Sequence, residues 1–110
     1  MVTGKGSRLV LVTCGSVSEA RRIADQVVRN RLAACVNIVL SPVQSIYRWK
    51  GKVESGREFL IVIKTNQKRL ATLEKEVKNA HSYDVPEFVV VPIVGGSREY
   101  LGWLEESVRG

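Results

Sequence analysis

The chain has 110 residues, of which 45% are hydrophobic and 25% are charged, as in an ordinary globular domain that buries its own core. Seventeen basic and eleven acidic residues give a net charge of +6, but the basic residues are spread along the chain and form no block. This pattern is typical of a solvated surface and does not favour a nucleic-acid-binding tract. No apolar run approaches the roughly 20 residues needed to cross a bilayer, which argues against a membrane-spanning helix.

The first seven residues are Gly-rich and do not resemble a signal peptide. We therefore expect a flexible N-terminus over residues 1–7, a single domain over residues 8–110 and a cytoplasmic location. Cys14 and Cys35 both lie inside apolar segments, and a disulfide is not expected without secretion. We predict that both are free, buried thiols.

The first elements are a strand and a helix. Residues 8–14 form a nearly continuous apolar run, as in a strand central in its sheet. Ser16 and Glu19 then match a capping box, in which the hydroxyl and the carboxylate bind free amides at a helix start. Apolar side chains follow at helical spacing as far as Leu32, which predicts an amphipathic helix.

The longest pattern is a hairpin over residues 32–65. Its two apolar arms fold back at Lys50-Gly51-Lys52, and the first arm is broken once, at Ser41-Pro42. Strands usually run about five or six residues, so these arms extend beyond a small sheet. An unpaired overhang favours association, and we therefore predict that it is an oligomerisation arm.

The remaining segments complete the order β-α-β-β-α-β followed by a helix. Asn66 can cap the second helix, and Asp84-Val85-Pro86 ends it. Residues 88–91 read as a strand that Pro92 restricts to a sheet edge, residues 95–96 as a turn, and Ser97 as the cap of a final helix. This order predicts an α+β, ferredoxin-like fold with an antiparallel sheet and helices on one face. A symmetric oligomer would cover the other face.

His81, the only histidine, is the first candidate for chemistry. Imidazole together with a thiolate suits copper or zinc, so Cys14 is the partner to consider, and Asp84 is a further donor nearby in sequence. The alternative is an exposed histidine that interacts with a helix dipole. The ends of the first strand and second helix need not adjoin in this fold, so the Cys14–His81 pairing stays open at this point.

Aromatic and charged side chains on the long hairpin suggest a second site. We predict an intersubunit pocket lined by Tyr47, Trp49, Glu58, Lys64 and Tyr83. The alternative is aromatic packing with cross-strand ion pairs. Asp84 and Glu87 would suit a general acid–base pair, although turn capping explains Asp84 equally well. No GxSxG, Walker-type loop, CxxC or HExxH occurs, and we do not expect an enzyme.

Short motifs follow one another in a characteristic order after residue 8. They are VTC at 12–14, RLAACVN at 31–37, SIYxWxGKVE at 45–54, ExL at 58–60, KT at 64–65, HxYDVPE at 81–87 and YLxW at 100–103. Together they resemble the CutA family, whose members are called divalent-cation (copper) tolerance proteins. The resemblance implies a ferredoxin-like protomer in a tight homotrimer, built by interlocking hairpins and similar in outline to PII signalling proteins. It also implies a role in tolerance to copper and other divalent ions.

The metal ligands that the resemblance implies are Cys14 and His81. Some bacterial members have a second histidine directly before the matching one, but this chain has Ala80. A site then requires copies brought together by the trimer, or a contribution from Asp84. Our first hypothesis is a homotrimer that binds Cu(II) or a related divalent ion without catalytic turnover.

Two other functions remain to be compared with this hypothesis. The second is a PII-like sensor that binds a small metabolite or anion in clefts between subunits. The third is an RNA-binding module, since RNA recognition motifs share this order of elements. Their aromatic signature on the third strand is missing here, because residues 57–63 contain a single aromatic residue.

Overall fold

The computed structural model of the protein describes residues 1–109, and within them the chain forms seven strands and three helices. The strands are β1 (Val2–Thr3), β2 (Ser7–Cys14), β3 (Cys35–Ile38), β4 (Val43–Trp49), β5 (Lys52–Asn66), β6 (Val89–Pro92) and β7 (Gly95–Gly96). The helices are α1 (Val17–Arg29), α2 (Leu70–Ala80) and α3 (Arg98–Ser107), and a 3-10 turn over Gln67–Arg69 leads into α2. None of these helices is long and apolar enough to span a membrane.

The main sheet is antiparallel and has the order β3-β5-β2-β6, while β4 pairs with the outer half of β5. The two β-α-β units interleave in this order, which is the ferredoxin-like arrangement. The predicted fold class is therefore confirmed. Within residues 1–109, β6 pairs only with β2 in this sheet, so Pro92 lies at a sheet edge as predicted.

The core lies between the sheet and the first two helices. Side chains alternate along a strand, so every second residue of β2 and β5 points toward α1 and α2. The fully buried members of this layer are Val10, Val12, Cys14, Ala20, Ile23, Val27, Ile61, Ile63, Leu73 and Val77. The alternate positions Leu9, Leu11 and Val62 face the other way and are only partly buried. The helices α1 and α2 therefore cover one face of the sheet, while α3 contacts β2 and β5 and reaches Cys35 on the other face, where the Tyr100 hydroxyl lies 3.8 Å from the sulfur.

The long hairpin extends beyond the body of the protein. We call residues 43–58 the arm, because there β5 is paired with β4 alone. The two-residue turn at its tip has positive φ at Lys50 (51°) and at Gly51 (79°), the backbone that favours glycine in tight hairpins. The arm accounts for the elongated shape, 44 Å by 25 Å by 24 Å. The predicted break at Ser41-Pro42 separates β3 from β4.

The segment over Gly95–Gly96 differs from the sequence-based expectation. Gly95 and Gly96, predicted as a turn, form β7 and pair with Thr3 and Val2. This pairing brings the backbones so close that a Cβ on Gly95 would lie 2.9 Å from the carbonyl oxygen of Val2. Backbone pairing thus includes Val2 and Thr3, and the flexibility expected of residues 1–7 stays a prediction.

Candidate functional site

Three potential metal ligands meet where β2 ends. The thiol of Cys14, the carboxylate of Glu19 and the imidazole of His81 offer ligand atoms that all lie within 4.8 Å of one another. All three residues are buried. Cys14 is the last residue of β2, Glu19 lies in the first turn of α1, and His81 directly follows α2. We call this group the cluster. In it, the ends of β2 and α2 bring Cys14 and His81 together within one subunit.

Both ring nitrogens of His81 are engaged in hydrogen bonds. Nε2 lies 2.7 Å from the carbonyl oxygen of Thr13, and Nδ1 accepts a hydrogen bond from the backbone N–H of Tyr83 at 3.0 Å. A neutral ring with its proton on Nε2 satisfies both contacts, because a carbonyl can only accept and an amide can only donate. His81 is 9% exposed, so the alternative of an exposed histidine at the helix end is wrong.

Glu19 completes the cluster, and we did not predict it as a ligand. The N-cap forms as expected, since Ser16 Oγ accepts from the Glu19 N–H at 3.1 Å. The carboxylate accepts from the Gly15 N–H at 3.3 Å and from the Ser82 N–H at 2.8 Å. Burial alone would raise the pKa of Glu19, but the hydrogen bonds from Ser82 and Gly15 lower it below its ordinary value. The capping box was the sequence signal that could have placed this carboxylate near Cys14, because it turns Glu19 back toward the start of α1.

The Cys14 thiol is protonated in this environment. It is 0% exposed, and burial, followed by the negative charge of Glu19, raises its pKa from 9.0 to about 12. A metal ligand must be a thiolate, so this sulfur has to lose its proton before it binds an ion.

These donors fit a divalent transition-metal ion by type and spacing. A thiol, an imidazole and a carboxylate within 4.8 Å suit a borderline ion such as copper or zinc. The imidazole and the carboxylate, however, already have hydrogen-bond partners without an ion. Binding therefore requires Cys14 to release a proton and one ring nitrogen of His81 to give up its present partner.

Asp84, the third ligand predicted from the sequence, does not join the cluster. The bends over residues 82–85 carry it out to an exposed position, where it lines a cleft beside the arm. This cleft has a volume of about 680 Å³. The arm forms one wall and residues 83–87 form the other. Of the predicted pocket residues, it collects Tyr47, Trp49, Glu58 and Tyr83.

Lys64 is the predicted pocket residue that the structure places elsewhere. It lies six residues beyond Glu58 on β5, about 20 Å along an extended strand. There it pairs with Cys35 of β3, and its ammonium donates to Asn37 Oδ1 and lies 3.5 Å from the Cys35 sulfur. Cys35 is a free thiol as predicted, but it is only partly buried.

Tyr83 connects the cluster with the cleft. Its backbone N–H is bonded to His81, and the two rings are stacked at a tilt with centroids 4.6 Å apart. Tyr83 also lines the cleft, where burial and a hydrogen bond to Glu58 raise the pKa of its hydroxyl. Thr13 makes a second connection, since its carbonyl contacts His81 and the residue lines the cleft.

The sequence matches one protein family over nearly all of this architecture. The match covers residues 8–107 and the family is described as "CutA1 divalent ion tolerance protein". The chain belongs to the CutA1 family. The resemblance seen in its motifs is therefore confirmed, and the cluster and the cleft are features of a CutA1 protein.

Individual relatives agree with this assignment. Protein CutA, chloroplastic, from Arabidopsis thaliana is 46% identical over 94% of this chain and 56% of its own length. The solved divalent cation tolerance protein of Thermus thermophilus is 47% identical with a TM-score of 0.91, over 94% of this chain and 99% of that chain. The solved structure described as the periplasmic divalent cation tolerance protein CutA of Archaeoglobus fulgidus is 39% identical with a TM-score of 0.89, again over 94% of this chain and 99% of that chain. The chain spans little more than half the length of the plant relatives it matches.

Proposed function

We propose that this CutA1-family protein acts in divalent-cation tolerance by binding a divalent transition-metal ion, with Cu(II) as the favoured ion, at Cys14, Glu19 and His81. The observation that carries the proposal is the convergence of three different donor types within 4.8 Å in the interior of one subunit. Ala80 in place of a second histidine matters less than the sequence suggested, because Glu19 supplies a third donor. The protein binds and holds the ion, and no catalytic turnover is proposed.

The residues of the cluster have separate roles in this proposal. Cys14 supplies a soft sulfur ligand after losing its proton, and Glu19 supplies a charged oxygen that is already ionised. His81 supplies a neutral nitrogen. Because the thiol is protonated in the ion-free protein, uptake of an ion releases a proton and becomes tighter as pH rises.

Titration with Co(II) and Cu(II) tests this assignment. A Co(II)–thiolate bond gives an absorption band that reports Cys14 directly, and Cu(II) affinity is measured in parallel by calorimetry. We expect Cys14→Ser to remove the band and His81→Ala to weaken the binding of both ions. Unchanged affinity in both variants, with folding verified by circular dichroism, would eliminate the site.

We further propose that the protein is a homotrimer held by its arms, in the PII-like manner. Ile46 and Val53 lie on one face of the arm and are 69% and 66% exposed. Apolar side chains so exposed on an open two-stranded hairpin favour burial against other copies. The sheet face opposite α1 and α2, where Leu9, Leu11 and Val62 are only partly buried, offers a second surface for such contacts.

We propose the cytoplasm as the location. Both cysteines are free, as expected in a reducing compartment. Relatives carry the descriptions chloroplastic and periplasmic, so location differs within the family. Fractionation of cells with an antibody to the native chain tests the proposal, and recovery with a periplasmic or organellar marker would refute it.

The cleft favours a second candidate function, a PII-like sensor of a small molecule. Its volume of about 680 Å³ is that of a small-molecule site, and aromatic rings and carboxylates line it. If the protein is a trimer, a neighbouring copy closes this cleft. A thermal-shift screen of metabolites against the wild type and Trp49→Ala tests this function. Absence of any ligand whose effect Trp49→Ala abolishes would argue against it.

A further inference from the structure

The two faces of the arm differ in charge. Paired residues share a face, so Tyr47, Trp49 and Glu58 project from one side, where Glu58 is opposite Val43 and Tyr47 is opposite Glu54. Arg57 also borders the cleft, but it pairs with Gln44 and its side chain projects from the other side of the arm. Within the cleft lining, this side of the arm therefore presents two aromatic rings and the Glu58 carboxylate, while the guanidinium of Arg57 points away. Lys52 is opposite Trp49 on the same side but lies outside the lining.

The opposite wall adds more negative charge. Asp84 and Glu87 line the cleft together with Tyr83. No ion pair within residues 1–109 includes Glu58, Asp84 or Glu87. Burial, and then the charge of Glu58, raise the pKa of Glu87, as expected for carboxylates that face each other without a compensating cation. The cleft is acidic although the whole chain carries a net charge of +6.

Gly56 leaves an open space in the middle of this acidic, aromatic wall. It lies inside a 15-residue strand, opposite Ser45, where glycine weakens a sheet and often marks the close approach of a ligand. A Cβ placed on Gly56 would meet no atom within 4 Å. The gap thus lies between Glu54 and Glu58 along β5 and borders the cleft.

One ring of the cleft already holds an ammonium group. The Nζ atom of Lys50, from the tip of the arm, lies 5.8 Å from the centroid of the Trp49 ring. This is within the range of a cation–π contact, in which the negative face of an indole attracts a cation.

We propose that the cleft binds an organic cation of the amine or quaternary ammonium class, held by the rings of Tyr47 and Trp49 and by the charges of Glu58 and Glu87. This inference rests on the cleft being a ligand site, as in the second function proposed above. It replaces the anion that the PII-like hypothesis had included among the possible ligands. A hydrated metal ion gains nothing from the aromatic rings, whereas an alkylammonium ion gains from both the rings and the carboxylates.

Three small probes of similar size and different charge test the ligand class on the intact, assembled protein. They are tetramethylammonium, the anion pivalate and neutral neopentyl alcohol. Trp49 and Trp103 are the only tryptophans, so Trp103→Phe makes the emission report Trp49 alone. We expect tetramethylammonium to change this emission in a saturable way at constant ionic strength, and the other two probes to bind at least about fivefold more weakly.

Matched variants separate charge from shape. Glu58→Gln removes a carboxylate from the cleft, and Glu54→Gln removes one from the same face of the arm outside the lining. We expect Glu58→Gln to weaken the affinity for tetramethylammonium about fivefold and Glu54→Gln to leave that affinity unchanged within about twofold. Gly56→Val fills the gap without altering charge and is expected to abolish binding. Melting temperatures of all variants verify that each one folds.

The outcomes distinguish the ligand class from the ligand site. Preferential binding of pivalate or neopentyl alcohol, lost in Gly56→Val, overturns the cationic class and leaves the cleft as a ligand site. Binding of Mn(II) that depends on Glu58, with no response to tetramethylammonium, overturns the class in favour of a metal ion. Absence of binding by every probe, together with a negative metabolite screen, overturns both proposals.

Discussion

The backbone N–H of Tyr83 donates to Nδ1 of His81 at 3.0 Å, and this bond ties the interior cluster to the wall of the cleft. The same histidine contacts the carbonyl of Thr13, another cleft residue, at 2.7 Å. His81 is therefore fixed at both nitrogens by residues that also line a different site. A change at His81 reaches the cleft most directly through these two residues.

His81→Ala is expected to destabilise the protein by about 1–3 kcal/mol, because the N–H of Tyr83 and the carbonyl of Thr13 lose their shared partner. His81→Gln is the matched control, since its amide offers both an acceptor and a donor. Urea unfolding followed by circular dichroism gives the free energy of unfolding. Equal stability of His81→Ala and the wild type would show that these hydrogen bonds contribute little.

The pKa of Cys14 predicts a loss of stability at high pH. The thiol of the unfolded chain ionises near 9.0, whereas the folded protein keeps its proton up to about 12. Between these values the unfolded state binds fewer protons, so the free energy of unfolding falls as pH rises and is unaffected below the lower value. Burial is the main cause of this difference.

Cys14→Ala removes this contribution, so a comparison with the wild type separates the effect of Cys14 from that of other groups that ionise at high pH. We expect its melting temperature to fall less than that of the wild type between pH about 8 and about 11. Thermal unfolding at matched ionic strength measures both. Parallel curves for the two proteins would mean that Cys14 is not buried as a thiol.

Ile46→Asp is expected to convert the proposed homotrimer to monomers, because it puts a charge on the exposed apolar face of the arm. Val28→Asp is a matched control, since Val28 is an exposed apolar residue on α1, away from the arm. Sedimentation velocity measures the oligomeric state of each. A trimeric Ile46→Asp variant would show that this face of the arm is not the interface.

Local patterns predicted the elements well because each signal acts within a few residues. The bounds of β4 follow from Ser41-Pro42 before it and the Lys50-Gly51 turn after it. Ser16 and Ser97 cap α1 and α3 with the expected hydrogen bonds, whereas Asn66 accepts from the Arg69 N–H and caps the 3-10 turn that precedes α2. The prediction of a turn at Gly95-Gly96 was wrong because a glycine pair indicates either a turn or a close backbone approach. Only the position of Val2 decides between the two.

The sites were predicted only in part because they depend on contacts between distant residues. Ser82 and Glu19 are 63 positions apart in the chain, and no local pattern indicates that the amide of one binds the carboxylate of the other. Asp84 was preferred as a ligand because it is near His81 in sequence, yet the bend between them separates the two. Tyr47, Trp49 and Glu58 were predicted together because strand alternation and hairpin pairing place them on one face.

The affinity of Zn(II) for Glu19→Gln compared with Asp84→Asn is the most direct test of the central claim, that the cluster is the metal site. Glu19 is the ligand that only the structure identified, whereas Asp84 is the ligand that only the sequence suggested. We predict that Glu19→Gln weakens binding at least about tenfold, or about 1.4 kcal/mol, while Asp84→Asn stays within about twofold of the wild type. Unchanged affinity in Glu19→Gln, or a loss confined to Asp84→Asn, would contradict the account.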